Sequence, residues 1–396
     1  MTPAAPRAPG FVPPPYPYDR LDRLVPTAAR HHGGVVDLSI GTPVDAPPPA
    51  VIEAFSTSGA ERGYPASIGT AALREAVSRW LGRRFDIEVD PAAIGASVGS
   101  KEFVGTLPQW LHLRSPDRDT ILYPSVSYPT YEMGAILAGC RPVAVAMTAA
   151  GRLDLDSVDP RDADRALALW VNSPGNPSGA VDDLGAIAEW GRHHGVPVFS
   201  DECYVEFTWD GRGRSILEHG LDGVVAVHSL SKRSNLAGAR VAHYAGDPGL
   251  VRYLQEVRKH VGMMVPGPAQ AAAVVALDDD EHVEAQRQRY RRRLARTADI
   301  LGTWSGRQVP MPAGGFYLWF PVGPGGEARL GAAGEARLGA AGEVGDGWEY
   351  AARLADAGGA LVSPGEFYGP TVRDHVRVAV VQPDERIELV ARRLGV

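Results

Sequence analysis

The chain has 396 residues, 44% of them hydrophobic, and a formal net charge of −7. That is enough apolar material for a large packed domain plus a lobe, and the absence of a basic excess argues against a nucleic-acid partner. Two cysteines, Cys140 and Cys203, are too few for a disulfide framework, no run has the length of a transmembrane helix, and Met1–Pro17 lacks the apolar core of a signal peptide, so a cytoplasmic protein with reduced thiols and no membrane partner is expected.

Residues 1–18 are rich in Pro and Tyr and read as an extended arm, with residues 1–10 disordered and Phe11 and the tyrosines free to dock on a surface or a partner subunit. Asp37-Leu38-Ser39-Ile40 alternates into Gly41, and a glycine at a strand end lets backbone approach a ligand closely. Tyr64-Pro65 reads as a turn before a helix that opens near Thr70 and gathers Leu73, Ala76, Val77, Trp80 and Leu81 on one face. Ser97-Val98-Gly99-Ser100-Lys101-Glu102 is a Gly/Ser turn running into an amphipathic helix over 103–113. Backbone N–H groups at such a junction bind phosphate without a charged side chain. Lys101 has no chemistry assigned beyond its position there. After a strand over Thr120–Pro124, Tyr128 can stack on a planar heteroaromatic ligand, whereas Tyr131 reads as packing at the next helix start. Cys140, just before a strand over 142–147, reads as buried.

Three apolar runs then end in polar residues. Ala166–Val171 leads into Asn172-Ser173-Pro174-Gly175-Asn176-Pro177-Ser178-Gly179, a loop pinned by two prolines. Val196–Ser200 leads into Asp201-Glu202-Cys203-Tyr204, placing a carboxylate where α/β sheets bind ligands; Cys203 reads as inert. Val224–Val227 leads into Ser229-Leu230-Ser231-Lys232, followed by Gly238-Ala239-Arg240. Lysine forms Schiff bases with carbonyl cofactors, and Ser229, Ser231 and Arg240 suit one phosphate. An amine that bonds an aldehyde beside a phosphate cup points to pyridoxal 5'-phosphate. Asp201 would then pair with the cofactor's protonated ring nitrogen and Tyr204 would donate to its phenolate oxygen.

Beyond Arg240 come helices over 250–261, 269–277 and 281–301, the last basic in its middle and read as a solvated, salt-bridged face. Residues 326–341 repeat one octamer twice and read as a low-complexity insertion. Val376-Arg377-Val378-Ala379-Val380 sets one arginine in an apolar strand. A cation there needs a partner, either a substrate α-carboxylate or an internal ion pair.

The Ser-x-Ser-Lys and Gly-x-Arg pattern at 229–240, with the loop Asn-x-Pro-x-Asn-Pro-x-Gly at 172–179 and Arg-x-Ala at 377–379, resembles fold-type I, class I/II aminotransferases from about Asp37 to the C-terminus. The wording of Asp37–Asp45 is similar to succinyldiaminopimelate aminotransferases of actinobacteria. The resemblance implies an α/β fold: a large domain (51–284) with a mostly parallel central sheet flanked by helices, and a smaller α+β lobe from both termini (19–50 and 285–396). It implies catalytic roles for Lys232, Asp201 and Tyr204. It implies a cofactor site of Ser100, Lys101, Tyr128, Asn176 (on the phenolate oxygen), Ser229, Ser231 and Arg240, with Tyr64 reaching the phosphate of a second subunit of a homodimer. Arg377, Gly41 and Asn176 would meet the substrate. The implied reaction is amino transfer from N-succinyl-LL-2,6-diaminopimelate to 2-oxoglutarate in lysine biosynthesis. The alternatives are another class I aminotransferase (aspartate, aromatic or LL-diaminopimelate type) or a carbon–sulfur lyase. A regulator's sensor domain would need a winged helix, for which residues 1–36 are too short and too rich in proline.

Overall fold

The computed structural model describes residues 10–322 and 346–396; the octamer repeat and the first half of the arm lie outside them. Twelve strands are described: β1 (Val36–Asp37), β2 (Ile94–Ser97), β3 (Thr120–Pro124), β4 (Arg141–Val145), β5 (Ala166–Asn172), β6 (Val198–Asp201), β7 (Val224–Ser229), β8 (Ala242–Gly246), β9 (Tyr317–Pro321), β10 (Ala360–Leu361), β11 (Ser363–Pro364) and β12 (His375–Ala379). Seven form the central sheet in the order β2-β8-β7-β6-β5-β3-β4, parallel from β7 to β4, with β8 antiparallel to both β7 and β2.

Continuous apolar runs make β5 and β7 because both sheet faces are covered. Alternate residues divide between two cores: Leu169, Val171, Val198, Val224 and Ala226 face one, and Ala168, Trp170, Phe199, Val225 and Val227 the other. The helices Ala71–Phe85 and Gly267–Asp278 pack on the first face, and Ser100–Arg114 and Pro248–Val261 on the second. A third core belongs to the lobe, where β11-β12-β9 form an antiparallel sheet and β1 pairs in parallel with β10. Cys203, Tyr204, Phe207 and Trp209 join that core, so the chain leaving β6 links the two layers.

The long helix runs Glu281–Ser305. Its arginines are not all solvated as expected. Arg293 is buried and pairs with Asp45 and Asp384, which ties the helix to both terminal segments. The arm also departs from a wholly extended form, since Pro17–Arg23 make a 3₁₀ turn; proline suits a first helical position because its missing N–H would be unpaired there anyway.

One buried ion network anchors the turn after β7. Arg233 donates to Glu206 at 3.0 Å, to the carbonyl of Ala276 and to Asp280 at 3.0 Å. Glu206 also accepts from Trp80 at 2.9 Å and Arg84 at 3.0 Å. Burial alone would raise the Glu206 carboxyl, but Arg233 and Arg84 outweigh it and hold it below the usual range. A carboxyl lowered in the folded state adds stability above its unfolded value near 4.5, and that stability disappears as pH falls through the folded value. Glu206→Gln should therefore cost on the order of 3 kcal/mol at neutral pH, read as a lower denaturant midpoint, and should flatten the loss of stability below pH 4.5. An unchanged midpoint would show that the network is not structural.

Candidate active site

The parallel strands carry their last residues to one edge of the sheet, where Asn172, Asp201 and Ser229 end β5, β6 and β7. A cavity of about 470 Å³ opens there, between the sheet and the lobe. It is lined by Gly41, Ser100, Lys101, Tyr128, Asn176, Asp201, Tyr204, Ser229, Ser231, Lys232, Arg240 and Arg377. Every site residue expected from the sequence is among them except Tyr64, which is 98% exposed on its own chain.

Lys232 sits on the short helix Leu230–Arg233. Ser229 caps it, its Oγ accepting from the Ser231 N–H at 3.1 Å. The connection is closed at its base by the pairing of Ser229 with Ala242 and fixed by buried Arg233. The Lys232 amine donates to the Gly41 carbonyl at 2.5 Å. Burial lowers it to about 8 from the usual 10.5, Arg377 and Arg240 push the same way, and Cys203 and Asp201 oppose them.

An anion cradle lies beside it. The helix Ser100–Arg114 starts at Gly99 with no side-chain cap, so its first N–H groups face the cavity end unpaired by a capping group. Gly99 has φ +78°, and a Cβ there would sit 2.0 Å from the Arg240 guanidinium. Arg240 itself takes a left-handed backbone and donates to the Ala237 carbonyl at 2.9 Å, so its guanidinium is aimed across this turn. Ser229 and Ser231 add two hydroxyls.

Asp201 is placed by contacts that the sequence reading did not assign. Its Oδ2 accepts from the Tyr131 hydroxyl at 2.8 Å and its Oδ1 from the Cys203 N–H at 3.2 Å. Tyr131 is thus more than packing at a helix start; it lines the same cavity as Tyr128, which lies on the loop before the helix Thr130–Leu137. Burial pushes the Asp201 carboxyl up, so a cationic ring nitrogen would find an acceptor with little water around it. Cys203 donates to the Ser100 hydroxyl at 3.2 Å, and burial raises its thiol well above the usual range, consistent with an inert group.

Arg377 occupies the middle strand of the lobe sheet and is 1% exposed. It donates to Asn176 Oδ1 at 2.9 Å and to the Ser39 carbonyl, and its guanidinium carbon lies 4.2 Å from the Tyr317 ring centre, 4.9 Å from Tyr368 and 5.7 Å from Tyr18. Among the described residues it forms no salt bridge, and its Nε has no hydrogen-bond partner. The internal ion pair weighed from the sequence is not present among the described residues. Tyr317, also unassigned from the sequence, bonds the Tyr204 hydroxyl at 2.9 Å and crowds Gly41, where a Cβ would meet its hydroxyl at 2.0 Å. Lys101 is exposed, as a solvent lysine would be, yet it lines the cavity, lies against the Tyr16 ring and donates to its hydroxyl at 3.0 Å.

These residues fit pyridoxal 5'-phosphate. The set contains an amine of lowered basicity, a glycine-shaped anion cradle, a buried carboxyl, an aromatic ring at Tyr128 and hydroxyl and amide donors at Tyr204 and Asn176. Comparison with known proteins agrees. The model of the family "Aminotransferase class I and II" matches residues 33–394. The chain is 41% identical to 4-dedimethylamino-4-oxo-anhydrotetracycline transaminase of Streptomyces rimosus, covering 96% of this chain and 99% of that protein. It is 41% identical to a probable aminotransferase of Mycobacterium tuberculosis, covering 96% and 85%. Among solved structures, a probable N-succinyldiaminopimelate aminotransferase of Thermus thermophilus superposes with a TM-score of 0.79 at 29% identity, covering 95% and 98%. The chain belongs to the class I and II aminotransferases, enzymes of the fold-type I architecture that transfer amino groups with pyridoxal 5'-phosphate.

Proposed function

We propose that the protein moves an amino group between an amino acid and a 2-oxo acid, each held by its α-carboxylate on Arg377. The observation that carries this reading is a buried guanidinium, open to the cavity, with no carboxylate partner among the described residues. A bidentate carboxylate satisfies such a fork. Gly41 lets the backbone approach the same carboxylate, and Asn176 steadies the guanidinium through its Oδ1.

When bound, the cofactor supplies an aldehyde that bonds amines and a ring that accepts electrons from Cα. Lys232 would hold the cofactor through its amine, and the same amine, when free, would move the proton at the substrate Cα. Asp201 would keep a proton on the ring nitrogen, with Tyr131 bracing its carboxylate. Tyr204 and the Asn176 amide would donate to the phenolate oxygen. Ser229, Ser231, Arg240 and the N–H groups at Ser100 would carry the phosphate, Tyr128 would stack on the ring, and Lys101 would lie at the rim. Tyr64, exposed on its own chain, reaches the phosphate of a second copy in a homodimer.

For the substrate pair, we take N-succinyl-LL-2,6-diaminopimelate with 2-oxoglutarate and glutamate. The wording of Asp37–Asp45 and the likeness to the Thermus thermophilus protein support it. A second reading, a large ring ketone as amino acceptor, is favoured by the 41% identity to the Streptomyces rimosus transaminase and by the tyrosines at the cavity mouth. Amino-donor and acceptor profiling, followed by cofactor absorbance, separates them: turnover with the succinylated diamino acid supports the first, and turnover with ring ketones alone supports the second.

Three outcomes are expected. Only a deprotonated amine attacks an aldehyde, so cofactor capture by the apo protein should speed up with pH and level off around a midpoint near 8. A midpoint above 10 would contradict the lowered basicity, and Lys232→Ala should abolish both capture and turnover. Arg377→Ala should lose on the order of 10²–10⁴ in kcat/KM in both half-reactions, from about 3–5 kcal/mol for a buried charge left without its partner. Because Arg377 has no carboxylate partner among the described residues, the kinetic loss should exceed what lost packing alone would cause; loss of stability with intact kinetics would refute the carboxylate role. Sedimentation should find a two-chain species, and Tyr64→Phe should weaken cofactor retention without changing that mass; an active monomer would contradict the shared site.

A further inference from the structure

The third wall of the Arg377 cage comes from the N-terminal segment. The Tyr18 ring lies 5.7 Å from the guanidinium carbon, and its hydroxyl meets that of Tyr368 at 2.9 Å. Leu21, the one buried residue of Pro17–Arg23, packs with Trp348, Phe367 and Tyr368, and Tyr18 lies against the same small cluster. Polar and ring contacts add to that anchorage. The Arg23 guanidinium sits 3.6 Å from the centre of the Trp348 ring, and Arg20 pairs with Glu366 at 2.5 Å. Trp348 and Glu366 both belong to the lobe that carries Arg377. The segment is therefore docked on the lobe, and Tyr18 is its point of contact with the cation.

A ring face over a desolvated cation is attractive, and excluding water strengthens the pairing of that cation with an anion. We propose that Tyr18 is a positioning residue of the carboxylate site. Latched to Tyr368, it closes the cage over Arg377, fixes the fork and raises affinity for every carboxylate substrate. This inference rests on the reading of Arg377 as the α-carboxylate site. It carries a reciprocal consequence: a carboxylate on Arg377 and the docked segment each stabilise the other.

The test uses the holoenzyme and three variants. Tyr18→Phe keeps the ring and removes the latch from one side, Tyr368→Phe removes it from the other, and Arg377→Ala checks the underlying reading. Loss of one neutral hydrogen bond corresponds to about a 2–10-fold change. KM should therefore rise by about that factor for amino donor and acceptor alike, with kcat retained, and the double variant should be no worse than either single one. Trypsin cleavage after Arg20 or Arg23, read by mass spectrometry, should slow when glutarate is added to the wild type; this non-reacting dicarboxylate should give no such protection in Tyr18→Phe. Unchanged KM values, or a lowered melting temperature with KM and protection intact, would overturn the role of Tyr18 while leaving that of Arg377 standing. An Arg377→Ala enzyme with normal kinetics would overturn both.

Discussion

A guanidinium buried to 1% exposure with no carboxylate within ion-pair distance, among the described residues, is the constraint on which the site depends. Removing a charge from water costs several kcal/mol even after relaxation. The protein offsets that cost with an amide oxygen, a backbone carbonyl and three tyrosine rings, none of which is an anion. This arrangement leaves the cation's attraction for an anion largely unspent. It also explains the position of Arg377 on the middle strand of the lobe sheet, where β9 and β11 fix its backbone on both sides. A flexible arginine would lose orientation and could recover its hydration.

The opposite wall is equally fixed, by different means. Lys232 follows the last residue of β7 within one short helix, and its neighbour Arg233 is clamped to Glu206, Asp280 and the end of the helix Gly267–Asp278. Asp201 closes β6 between two hydrogen bonds. Tyr204, three residues later, packs in the lobe core and bonds Tyr317, which itself lies against Arg377. The cavity is thus spanned by a short chain of contacts, from Lys232 to the Gly41 carbonyl, from Gly41 to Tyr317, and from Tyr317 to both Tyr204 and Arg377, so moving the lobe would move Tyr317 and Arg377 together.

Much of this was legible in the sequence because each key residue stands where an apolar run stops. The ends of β5, β6 and β7 could be read from Ala166–Val171, Val196–Ser200 and Val224–Val227, and a lone arginine in Val376–Val380 announced a buried charge. What escaped were partners supplied by distant parts of the chain. Tyr131 looks like core because its ring is buried; its bond to Asp201 exists only once the helix Thr130–Leu137 packs over β3 and β4 and brings the hydroxyl to the end of β6. Tyr317 was hidden in an aromatic strand. Arg293 resembles its solvated neighbours Arg291 and Arg292, and nothing local distinguishes the one that faces Asp45 and Asp384. The proline-rich arm gave no sign that Tyr18 would reach the cavity, since its contacts lie about 350 residues away.

The most direct measurement is a crystal structure of the holoenzyme with a non-reacting monocarboxylate bound. The account predicts both carboxylate oxygens within hydrogen-bond distance, about 3 Å, of the Arg377 guanidinium, with Asn176 and Tyr317 still in place around it. A carboxylate seated instead on Lys101 or Arg240, with Arg377 left as it stands, would contradict it.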